Sequence, residues 1–348
     1  MKKNSIFLFA LLVAALLSGC ESPIIQETRV HEDGSLDKSI SFERTDTTAV
    51  LGRNMFNVSK ATGWETSVEL LPETKDSDED RYRVTFSKSF ASAVDMNAEL
   101  DSRSDTLFSV HSSFEKSFRW FYTYIRYSET YRPINRFERL PYTDFFNAED
   151  FQFINRLPAE GARVSKADSA SLQMLTIKVD EYYTRAATTH EQVEILSQLL
   201  RATQTRLSLL DSAEFLREAI YMFLEDKRSD DQFAYRFADS MGIRFPDRHR
   251  ALKIADSLSA DFNGRFNFMG EAREGTYRAT FEMPWTVVNT NADSVAGNTL
   301  FWRPLKHKFL FTDYELYAES RQLNVVTTVI SLVIIGIGLW AFVRRMRS

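Results

Sequence analysis

Five histidines, His31, His111, His190, His249 and His307, and one cysteine, Cys20, are the side chains in this chain best suited to metal binding or nucleophilic catalysis. Their spacing supports neither. No two histidines lie within metal-ligand spacing, and His190-Glu191 lacks the second histidine, four residues after the first, that would present two ring nitrogens on one helix face. No Gly-x-Ser-x-Gly elbow, Ser-x-x-Lys pair or glycine-rich phosphate loop occurs. Adjacent acids such as Glu149-Asp150 and Asp230-Asp231 point in different directions on a helix and read as capping or solvated groups. The expectation is no catalytic residue, no metal ligand and no cofactor. A hydrolase assembled from scattered carboxylates is the enzyme this reading would overlook.

The conspicuous residues are aromatic. Phe114, Phe118, Trp120, Tyr122 and Tyr124 occupy even positions, a strand spacing that puts them on one face. With Leu107 to His111 before them and Tyr127 to Tyr131 after, the region reads as two long antiparallel strands, with Ser113, Glu115 and Arg119 on the polar side. The preferred reading is a sheet face packed under helices; the alternative is an aromatic wall for an apolar ligand. The 28 phenylalanines leave the same choice open, between a thick aromatic core and a lined apolar cavity.

Both ends of the chain speak of membranes. Lys2-Lys3 precede the apolar run Ile6 to Leu17, which closes in Leu17-Ser18-Gly19-Cys20, the layout of a secretory signal. That ending resembles the lipobox of bacterial lipoproteins, which implies cleavage after Gly19 and a lipid on Cys20. An ordinary signal peptide or an N-terminal membrane helix with a chance cysteine is the alternative. Because Cys20 is the sole cysteine, the mature chain has no disulfide and no other thiol. At the other end, Val325 to Val343 carries no charge and spans roughly 28 Å as a helix, close to the ~30 Å hydrocarbon core of a bilayer. Arg344, Arg345 and Arg347 follow, so the tail 344–348 is expected in the cytoplasm and the body of the chain outside it. The expected site is the cytoplasmic (inner) membrane, with the bulk periplasmic. Between the terminal basic clusters 38 Lys and Arg face 48 Asp and Glu, an acidic balance that argues against a nucleic-acid partner.

Those anchors must position a mixed fold. Alternating segments at Ile25 to His31 and Lys38 to Phe42, joined through Asp33-Gly34, predict an opening hairpin. A short helix within 46–63, a solvated acidic loop from Glu73 to Asp80, a strand over 81–89 and a helix over 90–100 with the stripe Phe90, Val94, Ala98 follow. Asn147, Thr188-Thr189-His190-Glu191 and Asp211 read as helix starts, and the polar stretch Pro158 to Lys166 as the boundary of the helical block. Strands return at 265–269, 275–283, 285–288, 299–302 and 309–318 and are expected to complete the first sheet. The fold class expected is α+β, an antiparallel sheet domain interrupted by a helical insertion and ending in one transmembrane helix. The divisions are 1–19 signal, 20–146 N-terminal α/β part, 147–262 helical insertion, 263–320 closing strands, 325–343 membrane helix and 344–348 tail.

The lipobox, the hairpin at Asp33-Gly34, and the closing run Pro284, Asn298-Thr299-Leu300-Phe301-Trp302 and Asp313-Tyr314-Glu315-Leu316-Tyr317-Ala318 ahead of a membrane helix together resemble the LppM-type lipoprotein domain of mycobacteria and other bacteria. That resemblance covers about the first 130 and last 80 residues and leaves the helical middle aside. It implies a membrane-tethered α/β domain that handles lipid, and it carries over no functional residue except Cys20. The expected function is a non-enzymatic envelope lipoprotein that binds lipid or another envelope component. The alternative is an assembly lipoprotein that uses its helical block as a protein-binding surface.

Overall fold

The computed structural model describes residues 23–52, 54–56, 58–72, 80–101, 107–135, 137, 140–202, 247–257 and 275–347. Cys20, most of the acidic run, the helix expected at Asp211 and the strand expected at 265–269 lie outside these residues. The chain divides into two compact units, one of residues 1–133 with 274–348, the other of 134–273.

The first unit is built on two sheets. Strands β1 (Pro23–Val30) and β2 (Leu36–Arg44) form the expected hairpin, followed by the short helix α1 (Thr47–Gly52), β3 (Glu65–Leu70), β4 (Tyr82–Phe90), α2 (Ala93–Leu100), β5 (Val110–Arg119) and β6 (Tyr122–Tyr131). After the second unit come β7 (Thr276–Glu282), β8 (Thr286–Thr290), β9 (Ser294–Ala296), β10 (Thr299–Trp302) and β11 (Tyr314–Leu323). The larger sheet has the order β3-β4-β2-β1-β7-β10-β9 and the smaller β5-β6-β11-β8. The closing strands are therefore shared between two sheets instead of completing one: β7, β9 and β10 extend the first, β8 and β11 the second. The β1–β7 pairing is parallel, the others antiparallel.

The turn from β1 to β2 needs its glycine. Gly34 sits at φ +93°, and a Cβ there would come within 3.0 Å of the Phe114 ring. Asp33 Oδ1 accepts from the backbone N–H and the hydroxyl of Ser35 at 3.0 and 2.7 Å, closing the turn. Inward residues of the two sheets then interdigitate. Phe56 stacks on Phe108 with centroids 5.0 Å apart, and Phe108 meets Tyr131, Tyr277 and Phe309 edge-on. Such pairs contribute roughly 0.5–1.5 kcal/mol each beyond burial. Many of the phenylalanines are thus core.

Three local elements differ from the expectation. Phe90 ends β4, so the helical phase starts only after the Ser92 cap, whose hydroxyl accepts from Asp95 N; Ala93, Met96 and Leu100 face inward and Val94 is exposed. The edge strand β3 was not foreseen, because it shows solvent almost everywhere and has no alternation to read. Phe309 to Phe311 is buried but not strand: Lys306–Phe309 forms a 3-10 turn, and β11 begins at Tyr314.

In the second unit, Asn147 caps α3 (Ala148–Arg156) as expected, in a reciprocal capping box with Asp150. Pro158 to Ser165 links α3 to α4 (Lys166–Ala202) and is not the boundary of the helical block; Ser165 caps α4 by accepting from Asp168 N at 3.0 Å. Thr188-Thr189-His190-Glu191 starts no helix. It lies inside the 37-residue α4, because the buried stripe Leu175, Val179, Tyr182, Tyr183, Ala186, Val193, Leu196 and Leu199 continues in phase through it. A further helix, α5, covers residues 248–257 and buries Ala251 against Leu199.

Only Asn324 separates β11 from the last helix, α6 (Val325–Arg347), which is long and apolar enough to cross a membrane. Its mean hydropathy reaches 2.4 and none of that window is buried.

Candidate functional site: the hairpin tip, its buried support and an open groove

The aromatic series is divided by a turn. Arg119 pairs with Tyr122, so Trp120 and Phe121 form a two-residue connection between β5 and β6. Across an antiparallel pair, opposed residues share a face. Phe114 and Phe118 therefore lie with Tyr127 and Thr123 on the inner side, while Tyr122 and Tyr124 lie with Arg119 and Ser117 on the outer side. The single aromatic wall does not form, nor does the packed face preferred from the spacing. Phe118 is 61% exposed, Trp120 53% and Phe121 45%; Phe114, Tyr122 and Tyr124 are half-buried. Arg119 stacks over Tyr124 and Arg321 over Tyr122, with guanidinium carbons 4.8 and 4.4 Å from the ring centres.

This tip is fastened to the start of α6. The Trp120 indole N–H donates to Ser331 Oγ at 2.8 Å, and the Trp120 carbonyl accepts from Asn324 Nδ2 at 3.0 Å and from the Thr327 hydroxyl. Asn324 N donates to the Phe121 carbonyl at 2.8 Å, and Thr123 Oγ1 donates to Asn324 Oδ1 at 2.7 Å. Trp120 adopts φ +34°, a region that favours glycine.

Behind the tip, the facing sheets enclose a charged cluster. Lys38 on β2 and Glu129 on β6 both have fully buried side chains, and Lys38 Nζ donates to both carboxylate oxygens at 2.8 Å. Glu129 also accepts from Thr28 at 2.6 Å and from the Tyr127 and Tyr131 hydroxyls at 2.9 Å. Burial alone would raise the Glu129 carboxyl, but the charge and hydrogen bonds of Lys38, with the hydroxyls of Thr28 and Tyr131, hold it below the ordinary carboxylate value. Burial pulls the Lys38 amine down, opposed by Glu129, and drives both tyrosines well above their usual range, with the carboxylate adding to it. Every carboxylate lobe is occupied by a donor from the chain, so the cluster acts as a lock between sheets. The sequence signal for it is parity: Lys38 shares the inward phase of Leu36, Ile40 and Phe42, and Glu129 that of Ile125, Tyr127 and Tyr131.

The outer face of the larger sheet forms an open groove of about 940 Å³, lined among others by Glu27, Arg29, Asp37, Lys88, Glu282 and Phe301. Arg29 pairs with Glu282 at 2.9 Å. Most of the lining side chains are charged or carry hydroxyls, which suits a partner with polar groups.

The histidines are dispersed. His31 pairs with Asp37, His111 with Asp101, His307 is buried, His249 is exposed on α5, and His190 lies within α4. Among the described residues no group of three or more His, Cys, Asp or Glu could hold a metal ion.

Neither a protein-family model nor a curated protein matches this sequence. Among solved structures, the chain is similar to the folded domain of Mycobacterium tuberculosis LppM, determined by NMR, with 8% identity over 88% of this chain and 92% of that one. The TM-score is 0.27, a likeness too shallow to carry an argument about fold or function.

Proposed function

We propose that the chain is a non-enzymatic envelope lipoprotein, tethered in the cytoplasmic membrane with its two folded units on the outer side and its arginine tail inside, where it binds lipid or another envelope component. The observation that carries this is the one-residue joint at Asn324: a β unit locked directly onto an exposed apolar helix of bilayer length has its working place at the membrane surface. The signal-like N-terminus, the lipobox-like Cys20 and the arginines after Val343 support the orientation.

Tethering is tested on the full chain with Cys20→Ala. The protein should stay in membranes through alkaline carbonate extraction, and external protease should digest the folded units in spheroplasts. Full-length release into the soluble fraction removes the reading. The charged lining of the groove favours a partner that presents polar groups over a sequestered acyl chain. A photo-crosslinker at Phe301 should therefore capture a lipid headgroup or an envelope component. The assembly alternative draws on Met174 and Ile177, exposed on α4. If a crosslinker at Met174 forms the adduct and one at Phe301 does not, the helical unit is the binding surface.

A further inference from the structure

We propose that the β5–β6 hairpin tip is a membrane wedge: Phe118, Trp120 and Phe121 enter the outer leaflet beside α6, with Arg119 and Arg321 at the level of the lipid phosphates. The inference rests on α6 spanning the bilayer.

Length forces the immersion. Crossing ~30 Å of hydrocarbon takes about 20 helical residues, and the uncharged run from Val325 to Val343 barely supplies them before Arg344. The tip is bonded to Asn324, Thr327 and Ser331, that is, to the joint and the first two turns of this run. If those turns stood in water with the tip, residues 332–343 would remain, about 18 Å of helix at ~1.5 Å per residue. That is far too short to cross. With the whole run in the bilayer, Ser331 lies roughly 9 Å below the start of the span, and the Trp120 indole bonded to it lies in the outer leaflet.

The tip is chemically prepared for that depth. Hydrocarbon demands that polar groups be satisfied within the protein. Both carbonyls of the turn, at Trp120 and Phe121, accept hydrogen bonds from Asn324 or Thr327, and the indole N–H has Ser331. The rings of Phe118, Trp120 and Phe121 are exposed at the tip, and that apolar surface is continued by Leu323, which is 46% exposed. Arg119 and Arg321 flank the tip, stacked over Tyr124 and Tyr122, whereas Glu115 is the single acid between Phe114 and Tyr124. Aromatic rings backed by basic side chains are the composition of a membrane–water interface. The positive φ of Trp120 belongs to the same design, since a left-handed turn position is strained for any residue but glycine and is kept by tryptophan where the side chain is needed.

The test uses the full chain with Cys20→Ala, carrying a single cysteine at Phe121 or, as a helix reference, at Leu332. Each is labelled with the environment-sensitive dye NBD and reconstituted into phosphatidylcholine–phosphatidylglycerol vesicles. Both positions are exposed on the protein, so labelling leaves the core intact. The dye at 121 should emit to the blue of free dye, be quenched by doxyl lipid to an extent approaching that at 332, and be shielded from aqueous iodide. If 332 is lipid-quenched while 121 is quenched by iodide and untouched by doxyl lipid, the wedge is wrong and the span stands. If iodide reaches both, the span itself fails and the wedge falls with it.

Discussion

Replacing Lys38 by Met removes one partner of the fully buried ion pair while keeping most of the side-chain volume. Glu129 loses the two 2.8 Å donors from the amine and keeps three hydroxyls, those of Thr28, Tyr127 and Tyr131. An uncompensated buried charge of this kind costs about 3–5 kcal/mol. The pH dependence should also invert. In the native protein Glu129 is depressed below 4.5, so its stabilisation is present above that value and is lost as pH falls through the folded-state value. Without Lys38, burial dominates and the folded-state carboxyl rises above 4.5. The variant then loses stability as pH climbs through the window that begins there. Urea unfolding of the detergent-solubilised full chain, followed by near-ultraviolet circular dichroism at pH about 5 and about 7, reads both effects. The deficit of K38M relative to wild type should widen from the lower pH to the higher. A deficit under about 1 kcal/mol at neutral pH, or one that does not change with pH, refutes the account of a carboxylate held ionised by Lys38.

Burial, with the charge of Lys306, lowers His307 to about 4 from 6.5. A depressed imidazole makes the protein lose stability as pH falls from about 6.5 toward 4, and His307→Leu should flatten that part of a melting-temperature profile. Gly34→Ala should lower the melting temperature by the equivalent of about 1–3 kcal/mol, since the new Cβ meets both a strained φ and the Phe114 ring; an unchanged melting point contradicts the close approach. Asn324→Ala removes the side-chain bonds to Trp120 and Thr123, worth about 1 kcal/mol each, and should speed limited proteolysis between β11 and α6 without unfolding the sheets.

What could be read from the sequence was local. Asp33-Gly34 announced the first hairpin, Asn147 with Asp150 announced α3, and the uncharged run before Arg344 announced α6. The second pair of antiparallel strands was legible, but the place of its turn was not, because Trp120-Phe121 has none of the Gly, Asn or Asp that marks a tight turn. Overlooking a two-residue turn reverses the facing of every later position, which is why, of the five aromatics that looked like one wall, Phe114 and Phe118 lie on one side of the sheet, Tyr122 and Tyr124 on the other, and Trp120 in the turn. Lys38 and Glu129 were visible as charges in inward phase, but 91 residues separate them, and periodicity says nothing about which distant outlier answers which. The helix start proposed at Thr188 failed for a comparable reason: capping residues are weak signals beside an apolar stripe that runs past them on both sides.

The direction of β1 has a consequence for mooring. Gln26 meets Tyr131 at the far end of β6, while Glu32 accepts from Lys116 near the wedge, so β1 starts at the end of the strands remote from α6. The 10 residues of β6 put that end about 33 Å from the tip at ~3.3 Å per residue. Three residues of chain from Cys20 to Pro23 reach about 11 Å at most. With the strands upright, the acyl chains that the proposed lipidation would place on Cys20 and the helix at the opposite end cannot share a bilayer. If Cys20 carries the lipid, the β unit must tilt to bring its far end to the surface; without the lipid, only α6 and the tip bonded to it hold the chain.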